Sequence, residues 1–416
     1  VMFDQCKALI IGLQKRGAVV GSSLNTAYLL ERLSQTLERL ETLMAIFVSN
    51  RYLPRRILLL TGCFARAAAE RHSISRLWKQ SSGLMARSVT QNAGDHGEHY
   101  ITRDKKEYWA MFYSAAGGGV LIALMALFKT YLGSIIDDKV WKGIAEGLNY
   151  GLGFMVIFML HFTVATKQPA MTAARFAEAV EKTPQGKTVN MKLAQLLVDV
   201  FRSQSIAVLG NVLIAMGLAA LIAFGYQYKT GESLMNADQI AYQLHSIDPL
   251  AGTLWFAAIA GVWLFCSGII SGYFDNRSNY LNMRMRLAQH PLLKKLMSEK
   301  TRVKFANYMH ENYGSLIGNL CFGMLLGITG VVGYLTHLPL DIRHVAFSSA
   351  NVGYIAVSGH FTYSLLLQCI GFVLLIGLVN LIVSFSLTLW VALRSLNAEI
   401  DSWWPIWHEV CQIVKK

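Results

Sequence analysis

Apolar side chains fall along this chain in six long, almost uncharged runs, at residues 108–132, 144–166, 205–228, 250–273, 314–335 and 363–393. A helix rises 1.5 Å per residue, so about 18 or more such residues cross the roughly 30 Å of hydrocarbon in a bilayer. One run of this length could be a buried helix of a large soluble core; six of them argue for a membrane. The pattern therefore predicts an all-α, polytopic membrane protein with six transmembrane helices. A membrane β-barrel is excluded, because its strands alternate in polarity and need only about ten residues. Aromatic residues collect at the ends of the runs, where an amphipathic ring suits the membrane interface: Tyr108, Trp109, Tyr131, Tyr226, Tyr228, Tyr273, Tyr313 and Tyr363.

The remaining segments carry helical periodicity of a different kind. Within residues 1–107, Leu30, Leu33, Leu37, Leu40, Met44 and Phe47 recur every three or four positions with Glu31, Arg32, Glu38, Arg39 and Glu41 between them. That is an amphipathic helix, which Pro54 ends or restarts. A second helix is expected from Arg55 to about Val89, giving a cytoplasmic helical region. The loops 167–203 and 274–312 are also helical in pattern and should extend the membrane helices beyond the bilayer. The domain reading is thus a cytoplasmic helical region 1–107, a transmembrane domain 108–393 and a cytoplasmic tail 394–416.

Charge gives these segments a direction. Only 15% of the chain is charged against 54% hydrophobic, yet 38 Lys+Arg face 25 Asp+Glu. A surplus of +13 in so apolar a chain could be a nucleic-acid footprint or a cytosolic membrane face. The distribution separates them: region 1–107, the two helical loops and the tail hold 16, 6, 8 and 3 Lys+Arg, whereas the intervening loops 133–143, 229–249 and 336–362 hold 2, 1 and 1. Positive charge concentrated in alternate loops orients a membrane protein with those loops inside. It predicts three in-out-in hairpins with both termini cytoplasmic. The apolar stretch Leu9 to Leu13 is too short for a secretory signal, so the first span is expected to direct insertion. The six cysteines show no metal or disulfide spacing and read as reduced apolar side chains.

The third and fifth spans look alike. Setting Gly210-Asn211 on Gly318-Asn319 gives 6 identities in the 20 positions from Ala207 to Tyr226 and predicts an internal repeat of parallel hairpins. Asn211, Asn319, Asn380 and Gln368 lie inside spans, where an unpartnered amide is costly, so they should face other helices. Lys129, near an outer end, is expected to snorkel. Glycines four apart, at 147/151, 268/272 and 323/327, permit close helix contact. At the inner end of the second span His161, Thr163, Thr166, Lys167 and Gln168 form a dense polar group followed by Pro169. This is the candidate site, suited to an acidic group or lipid headgroup; a capped helix end with a basic flank is the plainer explanation.

Soluble catalytic motifs are missing: there is no GxGxxG, GxxxxGK[ST], HExxH or GxSxG. Asp95, His96, Glu98 and His99 cannot all converge on one ion from a regular helix, so no metal is assigned. No cofactor and no catalytic residue are assigned either.

The strings GEHYITRDKKEYWAMFYSAAGGG at 97–119 and HFTVATKQPAMTA at 161–173 resemble signature stretches of a bacterial membrane-protein family known as site-specific recombinases, of the gonococcal type. The likeness covers most of the chain, and its name implies DNA strand exchange. The residues give that activity little footing. A tyrosine recombinase needs an HxxR element to neutralise the scissile phosphate, and none of the 11 histidines has Arg at the third following position. The Tyr-x-Arg-x-Ser element of the serine class is also missing. The favoured reading is a noncatalytic inner-membrane bundle, lipid-interacting, transporter-like or scaffolding; the alternative is a membrane-associated recombinase acting on DNA. Membrane lipids are the expected partners, with other envelope proteins or a second copy next and nucleic acid least favoured.

Overall fold

In a computed structural model the described residues are 2–21, 23–48, 53–70, 78, 82–83, 86, 102, 104–166, 187–358, 361–395 and 404–415. All regular structure among them is helical. Three N-terminal helices, α1 (Met2–Val20), α2 (Leu24–Val48) and α3 (Leu53–Glu70), precede the bundle. Lys7 pairs with Glu41 between α1 and α2. Gly21, at φ 85°, presses against the backbone of Asn276 and Tyr280, so a side chain there would be both strained and obstructed.

The bundle is built from α4 (Lys105–Ile135), α5 (Lys139–Met159), α6 (Lys187–Thr230), α7 (Ala237–Ile247), α8 (Thr253–Tyr280), α9 (Met283–Gln289), α10 (Pro291–Leu296), α11 (Glu299–Thr336), α12 (Val345–Ala356) and α13 (Tyr363–Ser395). A last helix, α14 (Trp404–Lys415), packs on α6 through a cluster of Leu193, Ala194, Val200, Leu389, Ala392 and Ile406. The most extensive packing is α5 on α11 and α4 on α6, followed by α8 on α11 and α12 on α6.

Five helices among the described residues are long and apolar enough to cross a membrane: Lys105–Ile135, Met191–Thr230, Thr253–Tyr280, Glu299–Thr336 and Tyr363–Arg394. Their outer faces stay apolar, with Leu213, Leu221, Phe224, Trp255 and Ile382 all more than half exposed. An apolar surface on that scale suits lipid and would be a liability in water. The run expected at 144–166 differs. Its helix spans Lys139–Met159, carries Lys142, Glu146 and Asn149, and stops seven residues short of Thr166. The helix ends there because His161 takes the left-handed conformation, φ 58°. His161 N–H bonds Phe158 O and Phe162 N–H bonds Ile157 O, a pairing that satisfies the last carbonyls and turns the chain away.

The segment 336–362, expected to be an external loop, instead contains α12. Ten of the eleven residues from Val345 to Ile355 are buried. Ala346, Ser348, Ser349, Ala350 and Gly353 let it enter the bundle closely, and a Cβ on Gly353 would strike Met216 O of α6. Tyr354, 1% exposed, donates its hydroxyl to Ala123 O of α4 at 2.8 Å.

Candidate functional site

Beyond the turn at His161 the chain is non-helical through Phe162, Thr163 and Val164 and is buried from Thr163 to Thr166. A non-helical backbone inside an apolar bundle must find partners for its N–H and C=O groups elsewhere. Here one side chain supplies two of them. Asn211 of α6, fully buried, accepts from Ala165 N at 2.8 Å and donates to Thr163 O at 3.0 Å and to Ala115 O of α4. Thr163 N–H donates to Ser114 O at 3.2 Å, and the Thr163 and Ser114 hydroxyls lie 2.9 Å apart. Ser114 Oγ also donates to His161 O at 2.9 Å. Thr166, at φ 66°, is held by Gln204 Oε1 accepting its N–H and by Ser384 Oγ donating to its carbonyl.

The glycine run in α4 makes room for this segment. A Cβ on Gly117 would overlap the Phe162 ring, one on Gly118 would sit 2.5 Å from Thr163 O, and one on Gly119 would sit 2.9 Å from Asn211 O. The two strings that carried the family resemblance are therefore in contact, Ser114 to Gly118 of the first against Phe162 and Thr163 of the second.

Of the inner-face candidates, Thr163 and Thr166 are buried parts of this segment and His161 is an exposed turn residue; Lys167 and Gln168 lie outside the described residues. The Asp95 to His99 cluster lies outside them too. Among the intramembrane amides, Asn211 and Asn380 are fully buried and bridge elements. Asn319 donates to Ser315 O one turn back in its own helix, and Gln368 sits on an exposed face of α13.

Asn380 was paired with nothing in the sequence, yet its bonds reproduce those of Asn211. It accepts from Val345 N at 3.1 Å and donates to Arg343 O at 3.0 Å and to Ala257 O of α8 at 2.7 Å, while Arg343 N–H donates to Phe256 O at 3.2 Å. In both places an asparagine grips residues i and i+2 of a segment, non-helical at 163–165 and entering the first turn of α12 at 343–345, and the carbonyl of a neighbouring helix. The residue just before that carbonyl then accepts from residue i.

A third polar group lies in the core. Lys129 does not snorkel freely: its Nζ is 3.5 Å from Glu146 Oε2 and 5.7 Å from the centroid of the buried Tyr150 ring. Tyr150 meets Phe347 in a tilted pair with ring centroids 4.5 Å apart, and Phe347 flanks His344. His344 is 1% exposed; its Nδ1 accepts from Ala346 N, and its Nε2 has no partner among the described residues. Asp341 pairs with Arg343 at 2.6 Å beside it. No three His, Cys, Asp or Glu side chains among the described residues gather as metal ligands would.

The arrangement offers polar backbone and amide groups inside an apolar bundle; away from it, the buried Ser278 hydroxyl lies 3.0 Å from His310 Nδ1. Compared with known proteins, the whole chain, residues 1–416, matches the family described as SpecificRecomb, site-specific recombinase. No curated protein and no solved structure matches it.

Proposed function

The chain belongs to the site-specific recombinase family, and from that premise we propose a function that needs no DNA chemistry: a noncatalytic, transporter-like bundle of the bacterial inner membrane. One observation carries it. The non-helical segment after α5 runs buried between apolar helices at residues 163–166, with its backbone satisfied by Asn211, Ser114 and Gln204. Non-helical backbone at membrane depth is tolerated where protein surrounds it or where it lines a polar path.

In this reading α5 is the sixth span, its Lys142 and Glu146 near the outer end, and the spans form three in-out-in hairpins with both termini cytoplasmic. The charge count supports that orientation, with 33 of 38 Lys+Arg in the inward segments. Lipids are the immediate partners of the exposed apolar faces; association with a second copy or another envelope protein would use the same faces. The repeat read from Gly210-Asn211 and Gly318-Asn319 relates spans entering from one side, and the bonding of Asn380 supports a different pairing, taken up below.

The test is direct. The full chain should stay with membranes through alkaline extraction and form no denaturant-resistant adduct with DNA. A covalent, sequence-specific protein–DNA complex would overturn the proposal in favour of strand exchange.

A further inference from the structure

The two asparagine clamps belong to two larger units. Ser114 and Ala115 of α4 correspond to Phe256 and Ala257 of α8, Thr163 and Ala165 to Arg343 and Val345, and Asn211 of α6 to Asn380 of α13. The correspondence continues where no hydrogen bond demands it. A Cβ on Gly119 would meet Asn211 O and Ile214 Cβ; one on Gly261 would meet Asn380 O and Val383 Cβ, the same two positions three residues apart. The helices preceding the two segments, α5 and α11, each end in a histidine at positive φ, His161 at 58° and His337 at 55°. They cross at Gly147 on Gly327 and Gly151 on Gly323, so each glycine meets the counterpart of its mate. A contact of that reciprocal form is what a twofold axis through the crossing produces.

Sequence traces agree once the helices are aligned separately. Ala115-Ala116-x-x-Gly119-Val120 matches Ala257-Ala258-x-x-Gly261-Val262. Gly147, Gly151, Val156 and His161 match Gly323, Gly327, Val332 and His337. Leu209, Asn211 and Leu218 match Leu378, Asn380 and Leu387. The glycine pairing makes α5 and α11 antiparallel, so their ends, and the segments that follow, lie at opposite ends of the bundle.

We propose that α4–α5–α6 and α8–α11–α13 are inverted copies of one unit, and that their clamped segments, 163–165 and 343–345, are the two gates of a path for a small polar solute across the membrane. This deepens the transporter-like reading and rests on it. Opening either clamp frees an N–H, a C=O and an asparagine amide, groups that need a polar partner in an apolar bundle. The donor at His344 Nε2, buried with no partner among the described residues, adds to that lining on one side. Both segments hang from the ends of two helices locked at one glycine crossing. A rocking of that crossing that pulls one segment from its asparagine therefore presses the other onto its own, and the gates open in turn.

The experiment uses the full chain in sealed vesicles, with cysteines other than the buried Cys369 replaced by serine. Single cysteines are placed at Asp137 and Lys300 as side markers, and at Val164 and Ile342 as gate reporters, and are labelled with a membrane-impermeant maleimide. Asp137→Cys and Lys300→Cys should label from opposite faces. Asn211→Ala should raise labelling of Val164→Cys about tenfold from the Lys300 face and lower that of Ile342→Cys from the other, and Asn380→Ala should do the reverse. Cys369 must stay unreactive, which separates gating from unfolding; variants that expose it are replaced by Asn211→Asp and Asn380→Asp, read the same way. If the two side markers label from one face, the membrane arrangement itself is refuted. If they label from opposite faces but each clamp variant leaves the other gate unchanged, or both reporters label from one face, only the paired gates are refuted.

Discussion

Replacing Asn211 by alanine removes the partner of two backbone groups that have no other place to go, Ala165 N–H and Thr163 O. The third bond, to Ala115 O, matters less, because that carbonyl lies within α4 and keeps its helical partner. A buried group stripped of its partner costs about 1–3 kcal/mol. Interhelical side-chain bonds in membranes are worth less, about 0.6 kcal/mol on average and about 1.7 at most. For two backbone groups we expect a loss of about 2–4 kcal/mol for Asn211→Ala. Asn380→Ala should match it within about 1 kcal/mol, because Val345 N–H and Arg343 O stand in the same relation to it. The assay is unfolding in mixed SDS and detergent micelles followed by the fluorescence of the nine tryptophans. An Asn380→Ala loss that differs from that of Asn211→Ala by more than about 2 kcal/mol would refute the reasoning.

Gly118→Ala should cost about 1–3 kcal/mol, since its Cβ would press on Thr163 O, while Gly217→Ala, with open space around it, should be neutral or stabilising by up to about 1 kcal/mol in the same unfolding assay. His161→Gly should raise the thermal midpoint, relieving about 1 kcal/mol of left-handed strain at an exposed turn, and His161→Val should lower it. Lys129→Met and Glu146→Gln should each destabilise by about 1–3 kcal/mol, and the double variant by clearly less than their sum in a double-mutant cycle; strict additivity would show that the pair does not interact.

The long apolar runs were legible because hydrocarbon thickness fixes a length that composition alone reveals, and the four-spaced glycines at 147/151 and 323/327 pointed to the close crossing found between α5 and α11. The end of the second run was not legible, since residues 160–166 stay uncharged after the helix has stopped, and only the positive φ of His161 marks the change. Helix α12 was read as an external loop because it is short. Its small residues Ala346, Ser348, Ser349, Ala350 and Gly353, and the lack of charge after Arg343, were the available signal. The second clamp was hidden for a deeper reason. Asn211 and Asn380 hold backbone groups, so the residues they bind need not resemble one another. Thr163 and Ala165 correspond to Arg343 and Val345, and the spacing between corresponding elements changes from helix to helix. Glycines 117–119 were noticed for the resemblance they carry, and their use emerges only with Phe162 and Thr163 laid against them.

The clamps also set a timetable for biogenesis. Ala165 N–H must wait for Asn211, 46 residues further along the chain, and Val345 N–H for Asn380, 35 residues further. At about 5–20 residues per second of synthesis, each segment spends roughly 2–9 seconds beside a nascent hairpin before its own asparagine exists. Lipid can supply neither a donor nor an acceptor during that interval. The unfinished segment must therefore remain hydrated, or be sheltered by the insertion machinery, until the third helix of its unit arrives. Slowing synthesis between residues 166 and 211 should consequently lower the yield of folded protein more than the same delay placed after Asn380.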